Sequence, residues 1–142
     1  MPDNVLVAVD GSPLSERALT YAIETFPDAH LTSMYVINPI DSVIDVEAGG
    51  LPVADDWYEN AEAEATRIHQ RATDLAAERG IELDTVTEVG KPAREILERA
   101  DDHDVDQIVM GSHGRSGIDR ALLGSVAERV TRRARIPVTI VS

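Results

Sequence analysis

The chain has no cysteine, one lysine, one tryptophan, one phenylalanine and no long apolar run. Each absence excludes something. Without cysteine there can be no disulfide and no thiolate metal site, which fits a cytoplasmic setting. No stretch approaches the roughly 20 apolar residues that cross a bilayer. The first apolar run begins at Val5 with no basic segment ahead of it, so a secretory leader is not expected. Positive charge is scarce as well: 13 Lys plus Arg stand against 26 Asp plus Glu, a formal net charge of −13. Such a surface is repelled by nucleic-acid phosphates and by anionic lipid, so neither is an expected partner.

Lys91 is the only lysine; every other basic residue is an arginine. One explanation is an ordinary acidic protein. The other, which the near-absence of lysine favours, is a high-salt cytoplasm of the haloarchaeal kind. There a Debye length of about 3 Å at ~1 M salt makes so dense a carboxylate load tolerable.

What is present reads as one domain over residues 1–142. Hydrophobic residues make up 43% of the chain, enough for a core and too many for a disordered segment. Valine-rich Val5 to Val9 has the continuous apolar character of a strand buried on both faces. Ser12 is a candidate N-cap with Pro13 at the first helical position, and Leu19, Ala22, Ile23 and Phe26 then recur at helical spacing. Leu31 to Ile37 predicts a second strand, and residues 39–54, with Gly49, Gly50 and Pro52, a mobile surface loop. A long helix is expected from Asp56 to Arg79, with a stripe of Trp57, Ala61, Ala65, Ile68, Ala72 and Leu75 and a stop at Gly80.

The polar stretch Ile81 to Val89 suits an edge strand. Pro92 can open a third helix with Ile96, Leu97 and Ala100 facing inward. Asp106 to Gly111 predicts a fourth strand, and Ile136 to Val141 a fifth. Leu123, Val126, Ala127, Val130 and Ala134 form the stripe of the last helix, whose negative dipole end suits Arg132, Arg133 and Arg135. Alternation of strand and helix implies an α/β fold. It is a single open, doubly wound, parallel five-stranded sheet in the order 3-2-1-4-5, with helices on both faces. Ligands of such sheets bind beyond the carboxyl ends of the strands where the winding reverses, here between the first and fourth strands.

Asp10 ends the first of these strands and Gly111 the fourth. Gly111, Gly114 and Gly117 can turn sharply and bring backbone N–H groups close to a ligand. Ser125 and Glu128 match the capping box Ser-x-x-Glu, which starts a helix at Ser125 and leaves Gly124 outside it. That helix N-terminus offers unpaired N–H groups to an anion. Alternatively, the glycines are plain turn residues and Gly124 eases close packing. Neither the lysine-bearing phosphate loop nor the G-x-G-x-x-G fingerprint is present.

With Gly111, Gly114, Gly124 and Ser125 spaced as G-x2-G-x9-G-S, the chain resembles the ATP-binding branch of the universal stress proteins. The resemblance also takes in VAVDGS, MYVINP, VGKPAREIL and IPVTIV. It implies ATP, with or without Mg²⁺, in the pocket. Gly111 would approach the ribose, and Gly114, Gly124 and Ser125 the phosphates. Asp10 would reach the ribose or a Mg²⁺-bound water, and the Val36 backbone the adenine. Asp10 has an alternative role as a turn or capping carboxylate. Arg115 and His113 can equally touch phosphate or face solvent.

The resemblance implies a nucleotide-dependent stress-response switch, with slow ATP hydrolysis, nucleotidyl transfer or a ligand-free dimeric scaffold as alternatives. No nucleophile–base pair is visible in the sequence. His30, His69, His103 and His113 lack metal-ligand spacing and read as surface residues, and Asp101 to Asp106 as a solvated turn. The uncharged edge strand Val138 to Val141 predicts a homodimer by antiparallel pairing, an arrangement common in the family it resembles.

Overall fold

The computed structural model describes residues 2–39, 54–113 and 123–142. Five parallel strands form one sheet in the order β3-β2-β1-β4-β5. They are β1 (Asn4–Ala8), β2 (His30–Ile37), β3 (Leu83–Val89), β4 (Gln107–Gly111) and β5 (Val138–Val141). The most apolar strands lie where both faces are covered: Leu6, Val7, Ile108 and Val109 are fully buried.

Alternation along β1 splits the core in two. Val5, Val7 and Val9 meet α1 (Pro13–Thr25) and α2 (Ala54–Ala77), while Leu6 meets α3 (Pro92–Asp102) and α4 (Ser125–Arg133). The chain moves from β1 out to β3 with its helices on one face. It then returns to β4 and β5 with its helices on the other, as right-handed crossovers require. The reversal falls between β1 and β4, as expected.

Local sequence explains the element ends. Ser12 caps α1 by accepting from the Ser15 N–H at 3.2 Å, with Pro13 in the first turn. Gly80, at φ +70°, follows α2, and the Ile81 N–H reaches back to the Ala76 carbonyl at 3.0 Å. Ala65, Ile68 and Ala72 of the α2 stripe are buried, with Trp57, Ala61 and Leu75 packed beside them. Two ion pairs join α1 to α2 and its exit: Glu16–Arg71 at 2.7 Å and Glu24–Arg79 at 2.9 Å.

Several expectations need correction. The helix that opens at Ser125 has as its N-cap Gly124, which has no side chain to cap it. Ser125 already lies in the first turn, so the capping box does not form, and Glu128 pairs with Arg132 at 2.9 Å instead. Leu123 precedes α4 and is 40% exposed, so it does not belong to the buried stripe. The Asp101–Asp106 turn is more than solvated surface. Asp106 accepts from the N–H groups of Asp3 at 3.0 Å and Asn4 at 2.9 Å, which ties down the start of β1. The surface loop predicted after Asn38 lies almost entirely outside the described residues.

Candidate functional site

The carboxyl end of β1 runs into a turn whose polar groups satisfy one another. Asp10 Oδ1 accepts from the Ser12 N–H at 2.9 Å, and the Asp10 N–H donates to Ser15 Oγ at 3.3 Å. The Ser15 hydroxyl donates to the Ser12 carbonyl at 3.0 Å. Gly11 sits at φ +83°, a left-handed conformation that glycine adopts without cost. Asp10 Oδ1 thereby braces the turn at the mouth of the sheet.

Across the reversal, β4 ends at Gly111, and here glycine serves close approach. A Cβ on Gly111 would lie 3.0 Å from Leu14 Cβ and 3.3 Å from the Leu14 backbone, so its absence lets the start of α1 settle on the strand. Ser112 then ties three segments together. Its N–H donates to the Val141 carbonyl at 2.8 Å, and its own carbonyl accepts from the Gly124 N–H at 2.7 Å. A Cβ on Gly124 would stand 3.0 Å from His113 Cα and 3.1 Å from the Ser112 oxygen. The packing role of both glycines is thus established. It brings the uncapped first turn of α4 directly against the exit of β4.

The β1–α1 turn, the exit of β4 and the start of α4 converge at one end of the sheet. Asp10, Gly111, Gly124 and Ser125 all belong to this convergence. Val36 lies one strand over. The last hydrogen bond from the β1 side to β2 is that of the Val9 N–H to the Met34 carbonyl at 2.9 Å. Val36 is two residues beyond it, on the same edge of the β2 backbone, while its side chain packs against the α3–α4 cluster. Gly114 and Arg115 lie outside the described residues.

Leu14 and Ser15 were not singled out from sequence, and Ser112 only as a serine without an evident histidine partner. Ser15 had a local signal in its spacing from Ser12; Leu14 and Ser112 act through tertiary contacts that no local pattern encodes. Ser112 Oγ is also 3.2 Å from His113 Nδ1, a hydroxyl–imidazole contact the sequence reading did not anticipate. Ser112 is buried, which makes the contact a brace and not an exposed nucleophile. His69 is half-buried rather than superficial, and burial lowers its pKa from the usual histidine range. A cavity of about 210 Å³ between α1 and α2 is floored by Val9, Leu19 and Ile68. Gly11 and Ser15 of the β1–α1 turn also line it, whereas no described residue of β4 or α4 does.

The family model of the universal stress protein family matches residues 1–142. The chain belongs to that family. Universal stress protein MJ0531 of Methanocaldococcus jannaschii is 35% identical over 142 residues, covering 96% of this chain and 80% of the relative. The solved structure of MJ0577, a universal stress protein of the same organism, superposes with a TM-score of 0.81 at 28% identity, covering 98% of this chain and 94% of the other. A universal stress protein solved in complex with cAMP gives a TM-score of 0.73 at 29% identity, covering 99% and 97%. Among the described residues of this universal stress protein, no helix is long and apolar enough to cross a membrane.

Proposed function

We propose that this universal stress protein binds ATP at the carboxyl ends of β1 and β4 and acts as a nucleotide-dependent switch in a stress response of a salt-adapted cytoplasm. One observation carries the reading. The spacing Gly111-x2-Gly114-x9-Gly124-Ser125 coincides with the exit of β4 and the start of α4, where an N-cap without a side chain leaves the first-turn N–H groups to an anion. The cAMP complex of a similar protein supports the same ligand class. In this arrangement Gly114, Gly124 and Ser125 hold phosphates, with Arg115 close by in the sequence. Gly111 passes the ribose, Val36 offers its backbone to adenine, and Asp10 meets the ribose or a Mg²⁺-bound water. Bound Mg²⁺ would offset phosphate charge.

Protein purified without added nucleotide should carry ATP detectable by mass spectrometry. Stripped protein should be stabilised by Mg-ATP, by about 2.7 kcal/mol at ~100-fold excess over Kd. Absence of both the nucleotide and the stabilisation would overturn the reading.

Homodimerisation through β5 belongs to the same proposal, and the register refines how to test it. The carbonyls of Pro137 and Val141 accept from Ile108 and Ser112, so residues 137, 139 and 141 turn their backbone toward β4. The outward edge is that of Val138 and Ile140. Ile140→Pro removes an outward N–H and should give monomers in sedimentation, whereas Thr139→Pro would break the internal ladder. A parent protein already monomeric at micromolar concentration would sink the dimer.

A further inference from the structure

Three buried polar atoms have no hydrogen-bond partner among the described residues: Ser33 Oγ, Trp57 Nε1 and His69 Nδ1. All three lie at the interface between α2 and the sheet. Ser33 sits on β2 between Leu31 and Tyr35, which face this helix, and Trp57 and His69 belong to α2 itself. Of the three, only the histidine can change its charge.

His69 spans two strands. Its ring meets the edge of the Tyr35 ring, with centroids 6.5 Å apart and planes at 79°, and its Nε2 is 2.7 Å from Thr87 Oγ1 on β3. With Nε2–H donating to Thr87, the neutral ring leaves only a lone pair unsatisfied at Nδ1. Protonation would put an N–H there, buried and without an acceptor among the described residues, and add a charge that none of them compensates.

The surroundings hold no such compensation among the described residues. One turn away on α2 are Ala65, Thr66, Ala72 and Thr73. On this face of the sheet β2 presents Ser33, Tyr35 and Ile37, and β3 presents Thr85, Thr87 and Val89; Asp84 and Glu88 alternate to the opposite face. Tyr35 is the only titratable group among them. Two turns up the helix, Glu62 is engaged by Tyr58.

We propose that His69 is an acid-sensitive latch whose protonation releases α2 from the β2–β3 side of the sheet while β1 and β4 stay folded. Desolvation lowers the pKa of the ring in the folded protein. The latch therefore holds above the ordinary histidine value of about 6.5 and fails as pH falls below it toward the folded value.

Amide hydrogen exchange, corrected for intrinsic rates, tests this at about pH 7.5 and about pH 5.5. The expected result at the lower pH is exchange at least about threefold faster in peptides from α2 and β3, with β1 and β4 unchanged. His69→Gln, which keeps a donor for Thr87 and cannot titrate, should abolish the difference. An α2 that ignores pH, a loss of protection shared by every strand, or an undiminished response in His69→Gln would each overturn the latch. Should that variant fail to fold, NMR titration of His69 in the parent decides. A midpoint below about 6.5, tracking α2 exchange, supports the latch, and one at or above that value overturns it.

Discussion

The β1–α1 turn and the underside of α2 lie on the same face of the sheet and handle polar groups in opposite ways. In the turn, Asp10, Ser12 and Ser15 exchange four hydrogen bonds over a few residues of chain. Under α2, Ser33, Trp57 and His69 each bury a polar atom without a partner among the described residues. The turn is satisfied because its partners are sequence neighbours whose geometry is set by one glycine and one cap. The groups under α2 meet across long stretches of chain, and apolar burial dominates where they end up. A site that must hold a ligand in fixed geometry gains from the first arrangement. The second suits a surface that can part.

The largest contrast should come from Gly124. The Cβ of Gly124→Val would press on His113 Cα and the Ser112 oxygen, backbone atoms with no rotamer to escape into. Urea denaturation should show a loss of about 1–3 kcal/mol, as overpacking typically costs. Nucleotide binding should fall with it, because the start of α4 moves. An unchanged midpoint would show that the exit of β4 is looser than its contacts suggest.

A smaller and more direct test compares two serines. Ser12→Ala removes the cap of α1 and should cost about 1 kcal/mol. Ser33→Ala deletes an orphaned hydroxyl and should be neutral or stabilising. Equal losses in thermal melts would mean that Ser33 has a partner after all and would erase the contrast. The weakest effect per residue, spread over the whole surface, is that of salt. Melting temperature should fall between about 1 M and ~0.1 M KCl as repulsion among the carboxylates reaches further. A melting temperature that does not move would argue against salt adaptation.

Much of the architecture was legible because it is written locally. A continuous apolar run marked β1 as buried on both faces, a polar composition marked β3 as an edge, and Ser12-Pro13 opened α1 where expected. The glycine spacing located the end of the sheet that carries the candidate site. Other features depend on which atoms meet after folding. The missing side chain of Gly111 matters because Leu14 arrives there from another element. Ser125 and Glu128 satisfy a capping pattern, yet the helix takes Gly124 as its N-cap. His69 reads as polar and exposed until Tyr35 and Thr87 close around it. The direction of the Thr139 N–H is fixed only by the register with β4, which composition does not reveal.

Glu16–Arg71 and Glu24–Arg79 share the same sequence offset, with glutamate always on α1 and arginine always on the α2 side. Sliding α2 by one turn in either direction would bring an arginine opposite Thr20 and part at least one pair, so the two rungs act as a vernier for the helices. Their atoms are in contact at 2.7 and 2.9 Å, within the Debye length of about 3 Å at ~1 M salt, beyond which repulsion between like charges is screened. Concentrated salt then works as a range filter: it mutes the long-distance repulsion and spares the short contacts that keep α1 and α2 in register.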